Sequence, residues 1–224
     1  MRRHSGLHLS EVRGITSEKR KGRVVISVAE KILKRIRDKG AGWAFTAKDF
    51  LDLASRASVD KALSTTHKEG RIRRVSRGIY DYPKQGTHMP GPMPPDFDQV
   101  AHALARSTGT RIIASGATAA NLLGISQQVP ARILYLTDGT SRNVHIGNRK
   151  IALKHVRTKE LLADELSGMV VQALKFVGRD ALTDKDLRRI RRRLTPDQRK
   201  TLVEQAQYTS DWVADVARRI AKES

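Results

Sequence analysis

Cysteine is absent from this sequence, which excludes disulfides, thiolate nucleophiles and cysteine-ligated zinc. Acid is scarce: 23 Asp and Glu stand against 43 Lys and Arg, a formal charge of +20 over 224 residues. That excess is larger than solubility requires and points to a polyanionic partner. Long apolar runs are missing too. No stretch approaches the roughly 18 apolar residues of a spanning helix, and the first residues carry no apolar signal core. The expectation is a soluble cytoplasmic protein whose partner is nucleic acid and not a membrane. Catalytic signatures are also lacking. The histidines (His4, His8, His67, His88, His102, His145, His155) form no HExxH, and neither G-x-x-x-x-G-K-[ST] nor G-x-G-x-x-G occurs. No enzymatic activity, catalytic residue, metal or cofactor is therefore expected.

What is present is ordered by two features, helical periodicity and a proline-rich break. Residues 1–26 are basic with little periodicity and read as an N-terminal arm. From Val28, the residues Val28, Ala29, Ile32, Leu33 and Ile36 form one apolar helical stripe that Gly40 closes. "WAFTAKDF" carries a start signal for a second helix, running to about Ala54, with Thr46 as N-cap, Asp49 as its box partner and Phe45 and Phe50 as a staple. Ser55 caps a third helix that turns Val59, Leu63 and Thr66 inward and ends at Gly70. A hairpin follows, turning at Ser76-Arg77-Gly78 and stopped by Pro83. Residues 86–95 hold four prolines and two glycines, so an extended linker is expected there, separating a unit at 27–85 from a second at 96–224.

In the second unit, "DFDQVAHALARSTG" and "ASGATAANLLGIS" read as helices and "ARILYLTDG" as a strand. "NVHIGNRKIALKHV" reads as a hairpin turning at Gly147-Asn148, and helices follow, two of them opening at Thr183 and Thr195-Pro196. Trp212, Val213, Val216, Ala217 and Ile220 recur at helical spacing after Ser210, so a terminal amphipathic helix is expected to pack into the core. The fold class expected is α+β: an N-terminal winged helix-turn-helix, then a mixed α/β domain ending in helices.

In a winged helix-turn-helix the third helix enters the major groove and the hairpin lies along the backbone. The candidate DNA-binding residues are accordingly Arg56, Ser58, Lys61, Ser64, Thr65 and Lys68 on that helix and Arg71, Arg73, Arg74 and Arg77 on the hairpin. "DLRRIRRRL" supplies a second basic surface, Arg188, Arg189, Arg191, Arg192 and Arg193, suited to DNA, to an acidic partner or to solvent alone. Asp184 and Asp186 read as first-turn carboxylates favouring the positive end of a helix dipole. Ser141-Arg142 reads as a bare loop in preference to an anion site.

Two blocks, "SRASVDKALSTTHKEGRIRRVSRGIYDYP" and "SGATAANLLG" followed by "YLTDGTSR", stand in order across the proline-rich break. In these the chain resembles the AbiEi family, the antitoxins of type IV toxin–antitoxin systems of phage defence, from about residue 28 onward. The resemblance implies a winged N-terminal domain that represses its own operon by binding double-stranded DNA at promoter repeats, as a dimer or as cooperative neighbours. It also implies a C-terminal domain that counters a nucleotidyltransferase-like toxin, directly or indirectly. The competing expectation is a ligand-responsive winged-helix regulator unrelated to any toxin.

Overall fold

The computed structural model describes residues 27–222 apart from 88–89, 129 and 131, so the basic arm at 1–26 lies outside the described residues. Helix α1 (Val28–Lys39) opens with a reciprocal Ser27–Glu30 capping box and closes at Gly40, whose φ of 90° suits a residue without Cβ. Strand β1 (Ala44–Thr46) follows, then a single 3-10 turn (Ala47–Phe50), helix α2 (Arg56–Lys68), and strands β2 (Arg73–Ser76) and β3 (Ile79–Asp81). The three strands form an antiparallel sheet in the order β1-β3-β2. Ile32, Ile36, Phe45, Phe50, Val59, Leu63 and Ile72 make its core.

The second helix expected to run to Ala54 is thus only a turn. Its start signals are real: Asp49 Oδ2 accepts from Thr46 N at 2.8 Å, and the Phe45 and Phe50 rings meet edge to face at 5.4 Å. A start signal does not supply length, because each further helical turn needs a face to bury, and Leu51 and Asp52 are exposed. The preceding residues, meanwhile, are claimed by pairing with β3.

The proline-rich segment is not an extended spacer either. Gln85 bridges to Pro92, Gly86 N donates to Gly91 O at 3.0 Å and Met93 N to Lys84 O at 2.8 Å, so the chain doubles back beside the hairpin. The second unit then runs through α3 (Phe97–Thr108), β4 (Ile112–Ala114), α4 (Ala117–Leu122), β5 (Ile133–Thr137), β6 (Arg142–Ile146) and β7 (Arg149–His155). After a 3-10 turn (Thr158–Leu161) come α5 (Glu165–Val177), α6 (Asp184–Arg193), α7 (Pro196–Ala206) and α8 (Asp211–Ala221). The sheet order is β4-β5-β7-β6, with β5 and β7 parallel and the other pairs antiparallel. Tyr135, Ile151, Leu153 and Val144 point from one face toward Val100, Val170, Leu174, Ile190 and Val213 of the helices. Alternation places Asn143, His145, Lys150 and Lys154 on the other face.

The fold is α+β, with two hydrophobic cores. They are joined, because Ala44 and Ile79 of the first unit are buried in the core of the second. Arg106 of α3 fastens the joint: it donates to Asp49 Oδ1 and to Ala44 O, both at 2.8 Å, and its guanidinium lies 5.7 Å from the Trp43 ring. Asp49 therefore holds its own turn with one carboxylate oxygen and the second unit with the other.

Candidate nucleic-acid interface

Helix α2 buries Val59, Ala62, Leu63 and Thr66, the last satisfied by donating from Oγ1 to Ala62 O at 2.7 Å. The opposite ridge, one residue every three or four, is Ala57, Lys61, Ser64 and Lys68, with Thr65 beside it, all exposed. Ser58 is drawn away from this ridge. Its N–H and hydroxyl engage the Ser55 cap, at 3.4 and 3.0 Å, so of the candidates on α2 it is the one committed to holding the helix start. Arg56 pairs with Asp60 at 2.8 Å along the helix surface while also facing the wing.

The hairpin divides its arginines. β2 pairs with β3 through a bulge between Arg74 and Ser76, and the turn closes at Gly78 with φ 74°. Arg73 lies directly opposite Asp81 in this register and binds it with both arms, Nη2 to Oδ2 at 2.5 Å and Nε to Oδ1 at 3.0 Å; its third donor reaches Met93 O at 2.8 Å. Asp81 is 1% exposed, so Arg73 neutralises a buried carboxylate, and its expected place at the DNA surface is corrected. Arg71 sits 3.7 Å from Glu69. Arg74 and Arg77 are exposed, and among the described residues neither side chain makes a hydrogen bond or ion pair.

The hairpin turn and the start of α2 form one wall of an open cleft of about 530 Å³ whose other wall is β6, which runs beside β2. Lys48, Arg56 and Arg77 line it from the first unit and Arg142, Asn143 and His145 from the second, and among the described residues no carboxylate lines it. Sequence reading missed Lys48 and the β6 side. The alternation of "RNVHI", which turns Asn143 and His145 to solvent, was the signal; Arg142 proves to be in a strand and not in a bare loop, and donates to Leu104 O at 3.0 Å.

The second basic run is mostly committed to main-chain carbonyls. Arg189 donates to Gly124 O, Arg193 to Leu122 O at 2.6 Å, and Arg191 to Ile220 O at 3.0 Å, Ala221 O at 3.1 Å and Lys222 O. These close the C-terminal ends of α4 and α8, where unpaired carbonyls need donors. Arg188 and Arg192 are left exposed on α6.

One polar cluster lies inside the second unit. Tyr135 Oη donates to Asp98 Oδ1 at 2.7 Å, and His102 Nε2 lies 3.6 Å from Asp98 and 3.3 Å from Glu165. Burial works to raise the Asp98 carboxyl, but the His102 and Tyr135 partners prevail and hold it below the usual range. Asp98 in turn raises His102 against its burial. Burial, followed by the Asp98 charge, pushes the Tyr135 phenol far up, and burial raises Glu165. An imidazole shared between two carboxylates ties α3, β5 and α5 together.

The molecule is thus an α+β protein in which a basic helix-and-hairpin unit is built onto a mixed sheet under helices. It belongs to a family of unknown function (DUF6088), whose pattern matches residues 31–202. The comparison with curated proteins gives no match. Among solved structures, the crystal structure of the RV2827C protein from Mycobacterium tuberculosis is similar over 87% of this chain and 76% of its own, at 14% identity and a TM-score of 0.41. Among the described residues no helix is long and apolar enough to cross a membrane.

Proposed function

We propose that this protein is a double-stranded DNA-binding repressor of its own operon, and that the α1–β3 unit is a winged helix-turn-helix. The observation that carries this reading is the set of exposed cations on one unit: Lys61 and Lys68 on the outward ridge of α2, and Arg74 and Arg77 on the hairpin. The ridge presents side chains of groove-reading length flanked by hydroxyls at Ser64 and Thr65, and the hairpin presents guanidiniums that suit phosphates. One such unit covers little DNA, so two copies on repeated half-sites act together.

The type IV antitoxin role, with residues 96–224 countering a nucleotidyltransferase-like toxin, is supported by the resemblance to the AbiEi family and is part of the same proposal. The test is a reporter driven by the chain's own upstream region. Supplying the protein should lower transcription, and co-expression should rescue cells from a neighbouring nucleotidyltransferase frame. Unchanged transcription would remove the repressor reading; repression without rescue would remove the antitoxin role alone.

A further inference from the structure

The cleft between hairpin and β6 has features that an outward DNA-reading surface does not require. It is concave, and basic side chains line its opposite walls: Lys48 and Arg77 on one side, Arg142 and the His145 imidazole on the other. Among the described residues, the side chains of Lys48, Arg77 and His145 make no hydrogen bond or ion pair, so their donor capacity is uncommitted. Asn143 adds an amide on the β6 wall. Its volume, about 530 Å³, falls within the range of small-molecule sites, roughly 300–1,000 Å³. A duplex is a rod that lies across ridges, whereas several cations converging on one pocket fit a compact ligand carrying several phosphate charges.

We propose that this cleft binds a free polyphosphate, either a nucleoside polyphosphate or a short inorganic chain, and that its occupancy releases DNA. The release part rests on the DNA-binding reading, because the ligand would occupy Arg77, which that reading assigns to the phosphodiester backbone. Ligand and duplex then compete for one guanidinium, and the protein is a repressor that polyphosphate relieves.

Calorimetric titration of the full chain without DNA tests the site itself, using ATP, GTP and inorganic tripolyphosphate, with sodium sulfate at matched ionic strength as the reference. One polyphosphate per chain should bind, and sulfate should not reproduce it. Nucleotide binding tighter than tripolyphosphate would assign a further contact to the nucleoside; equal binding would assign the site to the phosphates alone. The double variant Asn143→Ala, His145→Ala should weaken binding by about tenfold. His145→Glu, which places a carboxylate among the cations, should weaken it further. Both positions are exposed on an edge strand, and a thermal melt checks that each variant is folded.

A separate anisotropy titration with labelled upstream DNA reads the competition. Polyphosphate should displace DNA from the wild type and displace it less from the double variant. Heats no larger than those of sulfate, or binding indifferent to both variants, would overturn the site. Polyphosphate binding without DNA displacement would overturn the regulation while leaving the site. Failure of DNA to bind in the absence of ligand would instead overturn the repressor reading, and the calorimetry would still report on the cleft.

Discussion

Residues 69–77 and 187–194 look alike as sequence, each a short run dense in arginine, and folding gives them opposite tasks. On the hairpin, Arg73 neutralises Asp81 and leaves Arg74 and Arg77 in solvent. On α6 the outcome is reversed: Arg189, Arg191 and Arg193 close the ends of α4 and α8, and Arg188 and Arg192 remain. An arginine that finds a carbonyl or a carboxylate within its own chain is structural; one left without a partner on a rigid turn is available to a phosphate. Charge density alone therefore says little about where a polyanion binds.

The largest expected effect breaks the hairpin's own arginines apart. Arg73→Ala leaves the Asp81 carboxylate buried and unpaired, which costs about 3 kcal/mol. Denaturant unfolding should show that loss, and Asp81→Asn in the same chain should recover part of it. Arg74→Ala with Arg77→Ala should leave stability unchanged within about 0.5 kcal/mol. It should weaken DNA binding by roughly tenfold or more and lower the slope of log affinity against log salt by about two. The matched pair on α6, Arg188→Ala with Arg192→Ala, should leave that slope where it is. A slope change as large as the hairpin's would erase the distinction between the two regions.

Arg191→Ala removes a donor shared by three carbonyls at the end of α8 and should cost about 1.5 kcal/mol, read as a lower melting temperature with DNA affinity preserved. The smallest effect concerns pH. Asp98 raises His102 above its unfolded value near 6.5, so this contribution is complete below about pH 6.5 and is lost as pH rises through the higher folded value. The stability gap between wild type and His102→Gln should accordingly be wider at about pH 6 than at about pH 9. An equal gap at both would mean that His102 packs without carrying charge.

Much of the fold was legible because its signals are local. The stripe of α1, the Ser55 cap, the Gly78 turn, the Gly147 hairpin and the Thr195-Pro196 start all rest on residues within one turn of each other. What escaped depends on partners far along the chain. β1 and β4 are three residues each, too short to show alternation, and exist because β3 and β5 pair with them. The turn at Ala47–Phe50 looked like a helix because its capping signal is genuine, yet the exposed Leu51 and Asp52 give a longer one no continuous face to bury.

The site divides in the same way. Exposure of Lys61, Ser64 and Lys68 follows from helical period and was readable. The commitment of Arg73 depends on the hairpin register that sets it opposite Asp81, and that of Arg191 on a helix some 30 residues later. The β6 wall of the cleft brings together residues more than 60 positions apart, and no short pattern announces that.

The central claim is that the exposed cations of α2 and the hairpin hold a specific duplex. The most direct measurement is a gel-shift titration of the full chain on its own upstream region against a scrambled duplex of equal length, at two salt concentrations. A preference for the upstream region that persists at the higher salt is the predicted result. Equal and steeply salt-sensitive binding to both duplexes would contradict it, reducing the positive charge to a general hold on phosphates.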